Sequence, residues 1–400
     1  MSAYARILRH PRMAGLYAAA LVARLPVGIN GLAIVLFLRE QTGSFAVPGA
    51  VAGGLALGIG LGAPFMGRLV DRLGARVLLP LGAGNAAGIL ALLALGHADA
   101  PAAVLVAVAV ATGALYPPSA SVLRARFPEL LGSEPALVPA AYALDSVLLE
   151  ITFVLAPLLV VAVVALVAAG AALVVSATLV LGGTATFVAL LPPDRPHPAR
   201  DAALGRLGVL RAPGIRTLVI TMLPVGFAIG AVEVAVPAFS HAESRAELAG
   251  VLLATWSIGS ALGGLVYGAR VRRSPLPLVH LRLTLLLPLG FLPMLLAPSI
   301  AAMAVLLVPA GIFIAPILAT RNELASQAAP AGTKTEALTW PLTALLAGIA
   351  LGAAAGGALI DASDWRAAAI AAVLAASGGA LVATARRATL RSAVAATQSA

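Results

Sequence analysis

Four ionisable residues lie inside apolar runs long enough to cross a bilayer: Arg24, Asp145, Glu150 and Glu233. A charge at the membrane centre costs roughly 2.5–3.5 kcal/mol on insertion scales, so each needs a counter-charge, water or a functional reason to be there. Nothing around them has the pattern of a catalytic centre. The five histidines, at 10, 97, 197, 241 and 280, are scattered and offer no metal-ligand spacing. The chain has no cysteine, which removes disulfides, thiolate metal sites and cysteine nucleophiles. It also lacks a Walker-type phosphate loop. The expectation is a protein that is not an enzyme and holds no cofactor or metal. The chemistry open to its deep charges is ion pairing, substrate contact and proton carriage.

Depth follows from the helical rise of about 1.5 Å per residue. Counted from Pro139, Glu150 is on the order of 16 Å deep, and Arg24 is at about 15 Å counted from Ala14. Both therefore approach the midplane. Glu233 lies roughly 22 Å beyond Leu218, in the outer half, with no basic residue in the apolar part of its own run. A carboxylate there could carry a proton, or it could simply face a water-filled vestibule. Asn30, Tyr116, Trp256, Asn322 and Trp340 are further candidates for lining a cavity. Tyr116 precedes Pro117 and Pro118, a pair expected to break its helix and free backbone carbonyls.

The elements that position these residues are legible from composition. Of the 400 residues, 61% are hydrophobic and only 10% charged, against about 25% charged in a typical soluble domain. Mean hydropathy is +1.02. The apolar residues fall in twelve blocks, from 13–38 to 366–385, each long enough for a core of roughly 30 Å. They do not alternate apolar with polar, so the spans are helices, not strands. The first run is too long for a signal-peptide core and is read as a span. A net charge of +10 would suggest nucleic acid in a soluble protein. Here the basic residues segregate instead. Of the 26 Lys and Arg residues, only Arg39, Arg245 and Arg366 fall on the side opposite the termini, and Arg24 falls inside a span. That asymmetry predicts cytoplasmic termini and no nucleic-acid partner.

Residues 192–213, rich in proline and arginine, read as a cytoplasmic linker between an N-terminal half, 1–191, and a C-terminal half, 214–400. The halves are related. Leu25-Pro26-Val27-Gly28 recurs as Leu223-Pro224-Val225-Gly226 at an offset of 198, and Pro117 is paired with Pro316 at 199. Parallel six-span halves are one arrangement used by transporters. The glycines at 348, 352, 356 and 357 form a stripe suited to close helix packing.

Between the runs 45–66 and 77–96 lies Gly67-Arg68-Leu69-Val70-Asp71-Arg72-Leu73-Gly74-Ala75-Arg76. This stretch resembles the signature loop of the major facilitator superfamily, G-x-L-x-D-R-x-G-R-K/R, which lies between the second and third helices. Gly67, Leu69, Asp71, Arg72, Gly74 and Arg76 match; Ala75 departs. The resemblance covers essentially the whole chain and implies an all-α membrane protein, with twelve transmembrane helices in two pseudo-symmetric halves. It implies that Gly67, Asp71, Arg72, Gly74 and Arg76 help latch the halves in one state of the cycle. A loop here is expected to let Gly67 end the second helix and Asp71 meet a helix N-terminus. The second-half counterpart, Gly268 to Arg273, keeps the glycine and the basic charge but has no aspartate, so an aspartate latch is one-sided.

The resemblance also puts helices one and five side by side, so Arg24 is expected to pair with Glu150, or with Asp145 one to two turns nearer the cytoplasm. Within the superfamily the chain is similar to the bacterial twelve-helix drug:proton antiporters. Two marks of that group are incomplete: Ala156-Pro157-Leu158-Leu159 stands where Gly-Pro and a glycine pair are common, and Arg124 lies at the end of helix four, not within it. The expected function is proton-coupled efflux of a small amphipathic or hydrophobic compound by alternating access, through Arg24, Asn30, Tyr116, Asp145, Glu150 and Glu233. The alternatives are a carrier for a polar metabolite such as a sugar or amino acid, and a non-transporting receptor or scaffold. The expected partners are the small-molecule substrate, protons and the lipid bilayer of the cell membrane, for a monomer.

Overall fold

A computed structural model of the chain describes residues 3–42, 46–193, 208–245, 248–270 and 272–391. The short helix α1 (Ala3–Arg9) comes first, and α2 (Met13–Thr42), α3 (Ala46–Leu73), α4 (Leu78–His97), α5 (Ala102–Ala114), α6 (Ser119–Leu130), α7 (Val138–Leu166) and α8 (Ala169–Leu190) follow. Beyond the linker come α9 (Pro213–Ala242), α10 (Ala249–Ala269), α11 (Leu276–Phe291), α12 (Ile300–Gly311), α13 (Ile314–Ala328), α14 (Lys334–Ala362) and α15 (Trp365–Ala385). These make twelve membrane-length spans, α5 with α6 and α12 with α13 each forming one. Most of the expected linker, residues 194–207, lies outside the described residues.

Nine of the twelve spans end within a few residues of the apolar blocks, because the hydrocarbon sets their length. Three spans run on. The second reaches Leu73, the fourth Leu130 and the tenth Ala328, about two turns past the last apolar residue in each case. The expected loop at 67–76 is thereby corrected: Gly67, Asp71 and Arg72 are helical, in the last turns of α3. The turn itself is Gly74, at φ 86° and ψ 171°, followed by a single 3₁₀ turn at Ala75–Val77. That backbone region is essentially restricted to glycine.

The residues form two compact units. One comprises Arg6–Leu130 with Leu148–Arg200; the other comprises Asp201–Ala400 together with Met1–Ala5 and Leu131–Val147. The expected first half therefore gives two of its segments to the second unit.

Each unit is built the same way. In the first, α2 packs on α8, α3 on α5, and α4 on α8; in the second, α9 packs on α15, α10 on α12, and α11 on α15. Glycines set the closest approaches. Gly58 abuts the Val110 carbonyl and Gly113 the Leu55 carbonyl; correspondingly Gly259 abuts the Val308 carbonyl and Gly311 the Trp256 carbonyl. A Cβ at any of the four would overlap backbone, so only glycine fits. These contacts set the repeat offset at 201 for α3 and α10, and at 198 for α5 and α12. Pro118, not Pro117, is then the counterpart of Pro316. The expected break after Tyr116 is present, between Ala114 and Ser119, and its counterpart falls between Gly311 and Ile314.

The glycine stripe of α14 also does what its spacing suggests. Gly348 and Gly352 meet the carbonyls of Leu223 and Phe227 on α9, while Gly226 and Gly230 of α9 meet those of Leu345 and Ile349. Gly357 faces open space. In the first unit the equivalent seam, between α2 and α7, rests on Gly28, where a Cβ would stand 2.6 Å from that of Ala156.

Candidate functional site

In the first unit the expected midplane residues separate into two groups. Arg24 is 5% exposed on α2. One residue before it, the Ala23 carbonyl accepts a hydrogen bond of 3.0 Å from the Tyr116 hydroxyl. Tyr116 sits in the break between α5 and α6, where no helical ladder fixes it, and its hydroxyl lies within electrostatic range of Arg24. The broken helix thus delivers a polar side chain beside the buried guanidinium. Asn30 is placed differently. Its Oδ1 accepts a 2.6 Å bond from Ser176 Oγ, and it is 2% exposed. It ties α2 to α8. Asn85 does the same for α4 and α5, donating to the Thr112 carbonyl at 2.7 Å.

Helix α7 carries both expected acids, on different faces. Thr152 and Ala156 face Gly28 across the seam. Glu150 is two residues before Thr152, hence about 160° around the helix from it at 3.6 residues per turn, and it is half-buried. Asp145 lies on the opposite stripe from Glu150 and is fully buried. On α9, Glu233 is exposed.

Of the signature residues, Gly67 is buried, Asp71 and Gly74 are half-buried, and Arg72 and Arg76 are exposed. Arg124, on α6, is 6% exposed and donates to Ser121 Oγ at 3.2 Å.

The second unit holds a polar cluster that hydropathy reasoning missed. Arg272 occupies the position equivalent to Asp71 at the offset of 201. Its Nη1 donates to both carboxylate oxygens of Glu323 on α13, at 2.9 and 2.7 Å. Gln327 adds a bond of 3.2 Å to the same carboxylate. Burial pulls the Arg272 pKa down, but the bonds and charge of Glu323 outweigh it and hold the guanidinium above its ordinary value. At the position equivalent to Asp71 the second half therefore carries a cation, at the end of the eighth span, paired with a carboxylate on the tenth. Just inside, Arg321 donates to Asn322 Oδ1 at 2.7 Å, and both side chains are 2% exposed. His280 of α11 pairs with Thr320 Oγ1 at 2.8 Å. Arg321 was expected in a loop. A window average cannot tell a polar loop from a polar helix end that packs against its neighbours.

The sequence profile of the Major Facilitator Superfamily matches residues 16–245. No curated protein sequence matches the chain significantly. The structure is similar to the human organic anion transporter MFSD10 (TETRAN), at 17% identity over 94% of this chain and 99% of that one, with a TM-score of 0.69. It is also similar to a bacterial homologue of the iron transporter ferroportin in its outward-facing state, at 15% identity over 93% and 98%, with a TM-score of 0.75. The E. coli fucose:proton symporter FucP matches at 13% identity over 92% and 98%, with a TM-score of 0.69. At these identities the likeness is one of fold.

Proposed function

We propose, from the premise that the chain belongs to the Major Facilitator Superfamily and is a membrane transporter, not an enzyme, that it exports a small amphipathic or hydrophobic compound in exchange for protons. Substrate would pass by alternating access of two six-helix halves, in the cell membrane, with both termini cytoplasmic. The observation that carries the reading is the scarcity of deep charge. Arg24 beside Tyr116 is the polar feature that the break in the fourth span presents at midplane depth, and the surrounding positions are largely apolar. A multiply charged substrate would call for more. Glu150 and Glu233, the less buried acids, are the proposed proton carriers. Asp71, Arg72 and Arg76 are the proposed latch of the first half, with Gly67 and Gly74 shaping the end of α3.

One observation favours a second reading. A buried arginine next to a tyrosine hydroxyl is a fitting clamp for a carboxylate, which would make the cargo a polar metabolite. Proteoliposomes with an internal pH dye separate these readings from each other and from a non-transporting receptor. Broad, compound-driven pH changes support export of apolar compounds. A response confined to one metabolite class supports the second reading. No response to any class removes transport altogether. Glu233→Gln adds a sharper arm: unchanged pH dependence of transport ends its role as a proton carrier.

A further inference from the structure

We infer that the N-terminal helix is a detachable stay, whose Tyr4 hydroxyl holds a seam between α7 and α10 closed during part of the transport cycle; this rests on the alternating-access reading above. The seam belongs to the second compact unit, which includes Met1–Ala5 and Leu131–Val147 as well as Asp201–Ala400. Two glycines one turn apart near the end of α10 make room for it. A Cβ on Gly264 would lie 3.1 Å from Val147 Cγ2, and one on Gly268 would lie 2.6 Å from the Ala143 Cβ and against the Tyr4 hydroxyl. Tyr4 thus fills the notch that Gly268 leaves beside Ala143.

The hydroxyl does more than fill space. It donates to the Leu265 carbonyl at 2.7 Å, with the Gly264 carbonyl at 3.2 Å. Carbonyls near the end of a helix carry the negative end of its dipole and favour a donor. Burial raises the Tyr4 pKa to about 12, against a smaller lowering by its backbone bond at Gly268. The group therefore stays a neutral donor across the physiological range.

Continuity of the chain makes this contact more than packing. Helix α1 begins at Ala3 in the second unit and passes into the first at Arg6, and α7 passes into the first at Leu148. If the first six spans rock against the second six, the end of α10 must part from Tyr4, Ala143 and Val147. One hydrogen bond over a glycine notch is a tie of suitable strength. It biases the closed state by a small factor, and thermal motion can break it.

The absence of cysteine makes the test clean. Val147→Cys places a single thiol in the seam, to be reacted with a membrane-impermeant maleimide in reconstituted vesicles. Tyr4→Phe keeps the ring and removes only the donor. The expected result is labelling about fivefold faster, the population shift for losing one hydrogen bond of about 1 kcal/mol. Gly268→Ala, which pushes a methyl into the notch, should speed labelling as well, and Tyr4→Phe should add little on top of it. Equal, measurable rates with and without the hydroxyl overturn the stay while leaving alternating access intact. No labelling in either protein, with full labelling after denaturation, means the seam does not open. That result overturns the stay and the transport reading together.

Discussion

Arg272→Met is the substitution with the clearest energetic signature. The pair it breaks is buried on one side: the Glu323 side chain is 4% exposed and that of Arg272 25%. Deleting the guanidinium leaves a carboxylate in the protein interior, with only the Gln327 amide at 3.2 Å. Breaking a buried pair from one side typically costs about 3–5 kcal/mol. Water can reach the quarter-exposed arginine position and replace part of its role, which lowers the expectation to about 2–3 kcal/mol. Removing both charges leaves nothing to solvate, so Arg272→Met with Glu323→Met should fall within about 1 kcal/mol of the parent. The coupling energy of the cycle is then about 2 kcal/mol. Reversible unfolding in mixed detergent micelles, with titrated denaturing detergent, measures all four corners. A single-mutant cost under about 0.5 kcal/mol would refute the reasoning, because the carboxylate would then not depend on the arginine. A double mutant as unstable as the sum of the singles would refute it equally, by showing that the two side chains act through other partners.

Three further predictions are independent of that pair. Gly230→Ala drives a methyl into the Ile349 carbonyl, whereas Gly357 meets nothing within 4 Å; the first should cost on the order of 1–3 kcal/mol or abolish folding, and Gly357→Ala should be neutral in the same assay. Gly74→Ala forces a side chain into a glycine-only backbone region and should lower stability by about 1–3 kcal/mol, while Leu73→Ala, at an exposed site, should cost much less. The labelling rate of Val147→Cys should also depend on pH through Tyr4. Its pKa is raised from 10.0 to about 12, so the neutral, donating form is favoured in the closed seam. The contribution is complete below pH about 10 and is lost as pH rises toward 12. A rate that climbs between pH 6 and 8 by more than the ionisation of the thiol itself accounts for, as measured on the denatured protein, would assign the control to another group.

The sequence carried the gross architecture because the membrane imposes it. Twelve apolar runs and the glycine stripe of α14 each follow from a single physical demand, and both are found in the fold. The proline break at 117–118 was readable for the same reason: proline removes a donor wherever it sits. The polar machinery was less readable. Glu323 and Arg321 look in sequence like loop residues, since a hydropathy window ends the tenth span at 320, yet they lie in a helix and are almost fully buried. Burial of polar residues depends on neighbouring helices, not on the residues themselves. Asn30 shows the limit from the other side. A polar residue in an apolar helix suggested a cavity, and its partner Ser176, 146 residues away, could not be anticipated from spacing. Glu323 was missed as a charge partner because it lies on a different span from the position equivalent to Asp71, which Arg272 occupies.

The seam between α9 and α14 has a mechanical consequence. Four backbone-to-glycine approaches, from Gly226, Gly230, Gly348 and Gly352, bring the two helices backbone to backbone, with no side chain between them at those positions. The two helices are coupled like the flanges of a beam, so bending in the second unit is diverted to the gap after Gly311, where the α12 ladder stops. The corresponding seam in the first unit rests on Gly28 and Ala156, with a methyl in between, and is the softer spring. The second unit is thereby expected to be the stiffer of the two and the first the more compliant.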